Sequence, residues 1–157
     1  MLAHRRSTVL LASGLLLGTL GCIKDPEPVY GPGSYTLNGL VKSCDVQGSM
    51  THPVVNGQTY DQLDIILFTT PEPATGPENV ILTFTKQRAQ PTTAYALTAM
   101  RYQTASGVQA TYPLNTVQLQ EVRGNYAGTF AATSATGLTP AQYEITDGSF
   151  AGVRTGE

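Results

Sequence analysis

From Ser34 onward the apolar residues recur with a period near two, broken by Gly, Pro, Asn and Asp, and the segments are rich in Thr, Val and Tyr. A period of two puts alternate side chains on one face of an extended chain, and β-branched and aromatic residues suit a pleated, half-buried surface. A first strand is expected over 35–46, with Tyr35, Leu37 and Val41 on one parity and Leu40 on the other. Asn56-Gly57 marks a tight turn, since both residues accept positive φ. Within 60–70 the run Leu63-Asp64-Ile65-Ile66-Leu67-Phe68 is apolar on both parities after Asp64, as in a central strand covered on both faces. Residues 71–77 contain three Pro and a Gly and predict a loop. In 80–87, Val80, Leu82 and Phe84 alternate with Ile81, Thr83 and Thr85, which defines an inward face.

The stretch 94–103 carries helix formers in Ala94, Ala96, Leu97, Ala99, Met100 and Arg101. Tyr95, Thr98, Tyr102 and the following Ser106-Gly107 nevertheless favour a strand that returns as a hairpin through 108–112. Segments 116–122 and 126–132 flank Arg123-Gly124-Asn125, read as a three-residue hairpin loop. Leu138-Thr139-Pro140 is a connection, and 143–153 forms the last strand, with Asp147-Gly148 as a turn or a bulge. Seven or eight short strands without a convincing helix predict an all-β domain, an antiparallel β-sandwich or an incomplete barrel.

The N-terminus has a different pattern. His4, Arg5 and Arg6 precede an uncharged apolar run over 9–20, the layout of a secretory signal peptide. Twelve helical residues rise only about 18 Å, short of the roughly 30 Å hydrocarbon core. The run ends in Gly18-Thr19-Leu20-Gly21-Cys22, which resembles the lipobox of bacterial lipoproteins, with Thr19 where an aliphatic residue is usual. The resemblance implies cleavage before Cys22 and lipid attachment to its sulfur. Two or more acyl chains anchor stably. The expected organisation is therefore a signal peptide at 1–21, a lipidated Cys22 with a Pro/Gly-rich tether at 22–34, and one β domain at 35–157. Ile23 in place of Asp after the Cys resembles the sorting signal for the outer membrane. Lys24, Asp25 and Glu27 resemble tether signals for surface display and are equally solvated linker charge. With Cys22 lipidated, Cys44 has no partner and reads as a small buried residue; without lipid the two could pair in an oxidising compartment.

The C-terminal half adds a second resemblance. The run Tyr112-Pro113-Leu114-Asn115-Thr116-Val117-Gln118-Leu119, the element Gly128-Thr129-Phe130 and the closing Ile145-Thr146-Asp147-Gly148-Ser149-Phe150 are similar to elements of a group of small bacterial lipoproteins. That likeness covers about half of the mature chain. It implies a β-sandwich-like domain with no assigned activity.

Composition narrows the function classes. The 157 residues suit one domain, and 41% hydrophobic against 13% charged residues with a net charge of −2 exclude a coiled coil and a disordered chain. Loss of Arg5 and Arg6 with the signal leaves seven basic residues against eleven acidic, a formal charge of −4. Scattered cations and an acidic balance argue against nucleic acid and against docking on anionic headgroups.

The candidate chemistry is sparse. The mature chain has one histidine, His52, so a mechanism or metal site needing two imidazoles is excluded. His52 with Ser43 or Ser49 is a formal route to a hydrolytic triad, but His52 before Pro53 reads as a loop residue, and no Gly-x-Ser-x-Gly elbow is present. Paired carboxylates leave a glycan hydrolase as the competing enzymatic class. Asp61 and Asp64 are the weak Ca²⁺ candidate: three apart on one strand they face opposite ways, and joining them requires the strand to begin at Leu63 with Asp61 in the preceding turn. Tyr95, Tyr102 and Tyr126, with Tyr112 and Tyr143, would form a sugar-stacking platform if they shared an outer face; ordinary cross-strand packing is the simpler reading. A third class, an inhibitor presenting the loop 71–77, is physically compatible with the Pro-rich composition. The expectation is a lipid-anchored envelope protein that binds an unidentified envelope protein or glycan, without a cofactor, a metal or catalytic residues.

Overall fold

Strand order follows from where the chain can reverse. Reversals occur at Asn38-Gly39 (φ 49° and 80°), Asn56-Gly57 (51° and 78°) and Arg123-Gly124 (56° and 76°). Positive φ at both central residues is the two-residue hairpin turn whose twist matches that of the flanking strands. The computed structural model describes residues 30–69, 78–113, 116–132 and 143–156. The expected signal segment, most of the tether, the Pro-rich loop 71–77 and the connection 138–140 lie outside these residues.

The strands are β1 (Gly31–Leu37), β2 (Leu40–Thr51), β3 (Val54–Val55), β4 (Gln58–Phe68), β5 (Asn79–Gln87), β6 (Ala96–Gln103), β7 (Gln109–Tyr112), β8 (Val117–Val122), β9 (Asn125–Ala132), β10 (Ile145–Val153) and β11 (Thr155–Gly156). A single 3₁₀ turn, Thr92–Ala94, precedes β6. One antiparallel path runs β7-β6-β5-β4-β2-β1-β10-β9-β8, with β3 on β4 and β11 parallel to β2. The sheet curls into a half-barrel, the incomplete barrel of the two expected architectures. Its concave side holds Tyr35, Val46, Leu63, Ile65, Leu67, Val80, Leu82, Met100, Ile145 and Val153, all without solvent exposure.

Several details differ from the sequence reading. The expected strand 35–46 is two strands, because Asn38-Gly39 is a turn; Leu40 and Val41 next to it are 67% and 76% exposed. β1 begins at Gly31, so 31–34 belong to the sheet and not to the tether. The Arg123 loop has two residues, with Asn125 already paired to Val122. β4 is central, but only Leu63, Ile65 and Leu67 are fully buried. Its other face, carrying Ile66 and Phe68, is half-buried beside Ile81 and under Tyr30, whose ring meets Phe68 edge-on at 5.4 Å.

Period-two patterning fails where the sheet bulges. β10 takes positive φ at Asp147 (50°) and Gly152 (66°), and its pairing shifts register at both places. Each shift inverts side-chain parity. Ile145, Gly148, Phe150 and Val153 therefore all point inward at spacings of three, two and three. A register shift opposite Phe84 does the same in β6, bringing Leu97, Met100 and Tyr102 to one side.

A candidate binding cleft at the open seam

The two ends of the sheet path, β7 and β8, are joined by residues 113–116 alone. Eight antiparallel steps separate them in the sheet, so both run the same way. Among the described residues β7 pairs with Met100–Gln103 of β6. Across the seam β8 meets the 3₁₀ turn Thr92–Ala94 and Leu97 of β6, with no ladder between β6 and β8 among the described residues.

A cleft of about 380 Å³ occupies this seam, with Phe84, Tyr95 and Leu97 on one wall and residues 117–120 on the other. A second cleft of about 460 Å³ continues it past the 3₁₀ turn to Glu121 and Val122. Val117 and Leu119 lean onto the core while Gln118 and Gln120 are exposed, as alternation along β8 requires. The edge also carries a regular row of backbone groups. In a two-residue hairpin the flanking pair exchanges both hydrogen bonds, and bonded and non-bonded pairs then alternate outward. Val122 with Asn125 is that flanking pair, so Gln120 and Gln118 bond β9. The Ala131 amide donating to the Thr116 carbonyl at 3.2 Å continues the same alternation. The N–H and C=O groups of Val117, Leu119 and Glu121 therefore turn toward the seam.

The aromatic wall is positioned by a chain of polar groups across three strands. Pairing sets His52 beside Asp61 and Asp61 opposite Lys86. The Lys86 ammonium donates to Asp61 Oδ2 at 2.6 Å, and His52 Nδ1 donates to Asp61 Oδ1 at 2.9 Å. An ionised carboxylate only accepts, so the proton lies on Nδ1 and Nε2 points away from the pair. Lys86 Nζ also lies 5.3 Å from the Tyr95 ring centre, a cation–π contact. The Tyr95 hydroxyl donates to Met50 Sδ at 3.4 Å, and its ring meets Tyr126 edge-on at 6.3 Å. Lys86 holds the Asp61 carboxyl below the usual carboxylate range, against the burial that would raise it, with His52 assisting. Burial raises the Tyr95 hydroxyl well above the ordinary tyrosine range, and Tyr126, Asp61 and Glu121 push the same way.

The expected site residues fall elsewhere than the sequence placed them. Asp61 is inside β4, which begins at Gln58, and on the inward parity; Asp64 is on the outward parity, where it accepts from Thr83 Oγ1 at 2.6 Å and Gln62 Nε2 at 3.0 Å. The turn that a Ca²⁺ site needed is absent at this point, and no cluster of three His, Cys, Asp or Glu suited to a metal occurs among the described residues. Asp61 also titrates in the wrong direction for a general acid. Ser43 and Ser49 lie on the outward parity of β2, and among the described residues no hydrogen bond joins either to His52.

The tyrosines do not form an outer platform. Tyr102 and Tyr126 are buried and Tyr95 is half-buried against the core. Tyr102 belongs to the opposite end of the half-barrel, where its ring lies 5.3 Å from Tyr143, Tyr112 donates to the Tyr143 carbonyl at 2.6 Å, and Lys42 pairs with Glu78 at 3.3 Å. Cys44 sits inside that end, its thiol pushed up to about 11 mainly by burial, so it is the inert buried residue expected. Sequence reading overlooked Lys86, Leu119 and Gln120. A comparison of the chain with protein families, curated proteins and solved structures finds no match to any of them.

Proposed function

We propose that this chain is a lipid-anchored lipoprotein of the bacterial outer membrane whose β domain is a non-catalytic binding module, working through the cleft at the seam. The lipobox-like segment ending in Cys22, and the likeness to small bacterial lipoproteins, support the address. The observation that carries the binding role is the β8 edge, unpaired among the described residues, lining a cleft beside Tyr95 and Leu97. Exposed strand edges are normally blunted by charged side chains, Pro, a bulge or a covering segment; Val117–Val122 carries one charge, Glu121 near the hairpin, and no Lys, Pro or bulge.

Two measurements on native material test the proposal. Intact mass of protein extracted from cell membranes should equal residues 22–157 plus acyl chains; an unmodified mass that gains two hydrogens on reduction overturns the anchored reading. A photo-crosslinking side chain at position 120 should yield an adduct in cells that the same group at exposed position 40 does not. Equal labelling from both positions overturns the cleft as the binding face.

A further inference from the structure

Resting on that reading of the domain, we infer that the seam receives an extended, basic polypeptide segment of another protein, which adds to β8 as a strand. Val117, Leu119 and Glu121 offer alternating N–H and C=O groups along one line, the requirement for strand addition. Their side chains lie on one parity, so an incoming strand also meets walls whose apolar members are Val117, Leu119, Leu97, Tyr95 and Phe84. Main-chain bonds thus supply affinity, and alternate side chains supply selection.

Charge identifies the occupant's chemistry. Glu121 is the one side chain charged at neutral pH among the described residues lining the two clefts, and it lies toward the hairpin end. Lys86, behind Tyr95, is already engaged by Asp61. The slot therefore presents a negative end with no cation in its walls, which favours Lys or Arg in the incoming segment and disfavours Asp or Glu. A second copy of this chain is a poorer occupant. Antiparallel pairing of two β8 strands about Gln120 would set each Glu121 opposite a Leu119 and leave both carboxylates without a partner.

The test uses the full chain and synthetic probes. One probe is a capped heptapeptide of alternating Val and Thr with Lys at both ends; its counterparts have Glu at both ends, or N-methyl groups on the amides that would face β8. The Lys peptide should bind saturably and protect the Leu119 and Glu121 amides from hydrogen exchange. N-methylation should weaken it by about tenfold or more, as loss of even one main-chain bond would. The Glu peptide should bind more weakly, and Glu121→Lys should reverse that order. Absence of saturable binding, insensitivity to N-methylation, or equal binding of both charge types would overturn the proposal. So would concentration-dependent protection of β8 without peptide, which would assign the slot to a second copy. The two readings fail separately: a lipidated mass with no peptide binding defeats strand addition alone, and a soluble, unmodified protein that binds the peptide defeats only the anchor.

Discussion

At the scale of single residues, one of the two polar contacts behind the cleft can be counted from the sequence. Asn56-Gly57 fixes a two-residue turn, so counting outward pairs Val55 with Gln58, Val54 with Thr59 and, two steps further, His52 with Asp61. The partner of Asp61 on its other side, Lys86, depends on how the connection 69–78 closes, and turn chemistry leaves that open. Sequence reading therefore assigned Asp61 no ion-pair partner, although its side chain is 13% exposed and bonded to Lys86. Asp61→Asn removes a charge-assisted bond at an end of the barrel that water still reaches. It should cost about 1–2 kcal/mol in urea unfolding at pH 7. The pH dependence has a definite sign. With the folded pKa below the unfolded value of about 4, the carboxylate's contribution is complete above that value and disappears as pH falls through the folded pKa. Wild-type and Asp61→Asn unfolding midpoints should therefore converge on acidification below pH 4. A gap that stays constant would show that the ion pair is not its source.

At the scale of elements, two short sequence features acquire a physical reason in the β9–β10 ladder. Gly128 lies opposite Phe150 and Gly148 lies opposite Phe130, so each phenyl ring covers the glycine on the neighbouring strand, and the rings sit 6.5 Å apart. A Cβ on Gly148 would approach the Phe130 ring to 2.5 Å. Gly148→Ala should lower stability by about 1–3 kcal/mol, the usual cost of forcing atoms into a packed site. Phe130→Leu in the same chain should recover part of that loss by vacating the ring, and chemical denaturation of the single and double variants measures the coupling. No recovery would mean that the glycine serves its backbone rather than the ring. Alternation made Val80, Leu82 and Phe84 legible as an inward face, because β5 is regular over that span. It misled in β6 and β10, where one extra residue per bulge changes the apparent period.

At the scale of the whole molecule, the curl of the sheet brings the tyrosines into the concavity. Tyr35, Tyr95, Tyr102, Tyr112 and Tyr126 are all raised above the ordinary range, with burial the largest cause in each. A raised folded pKa gives stability that is complete below the unfolded value near 10 and is lost as pH rises toward the folded one. Urea midpoints should thus fall above pH 10, by up to about 1.4 kcal/mol per pH unit for each tyrosine that ionises only on unfolding. Tyrosinate absorbance should rise in step with the loss of folded signal. Full ionisation of the folded chain near pH 10 would contradict their burial.

Read alone, the chain determined its β class, its hairpin turns at Asn56 and Arg123 and the central place of β4. Each of these rests on local rules: side-chain alternation, tolerance of positive φ, and residue polarity. The tertiary structure decided whether the sheet closes, which tyrosines it encloses, that Lys86 meets Asp61, and that β8 keeps an edge beside Tyr95 with no partner among the described residues. Those outcomes depend on register between strands far apart in sequence and on how far the nine-strand path curls, which no local rule specifies.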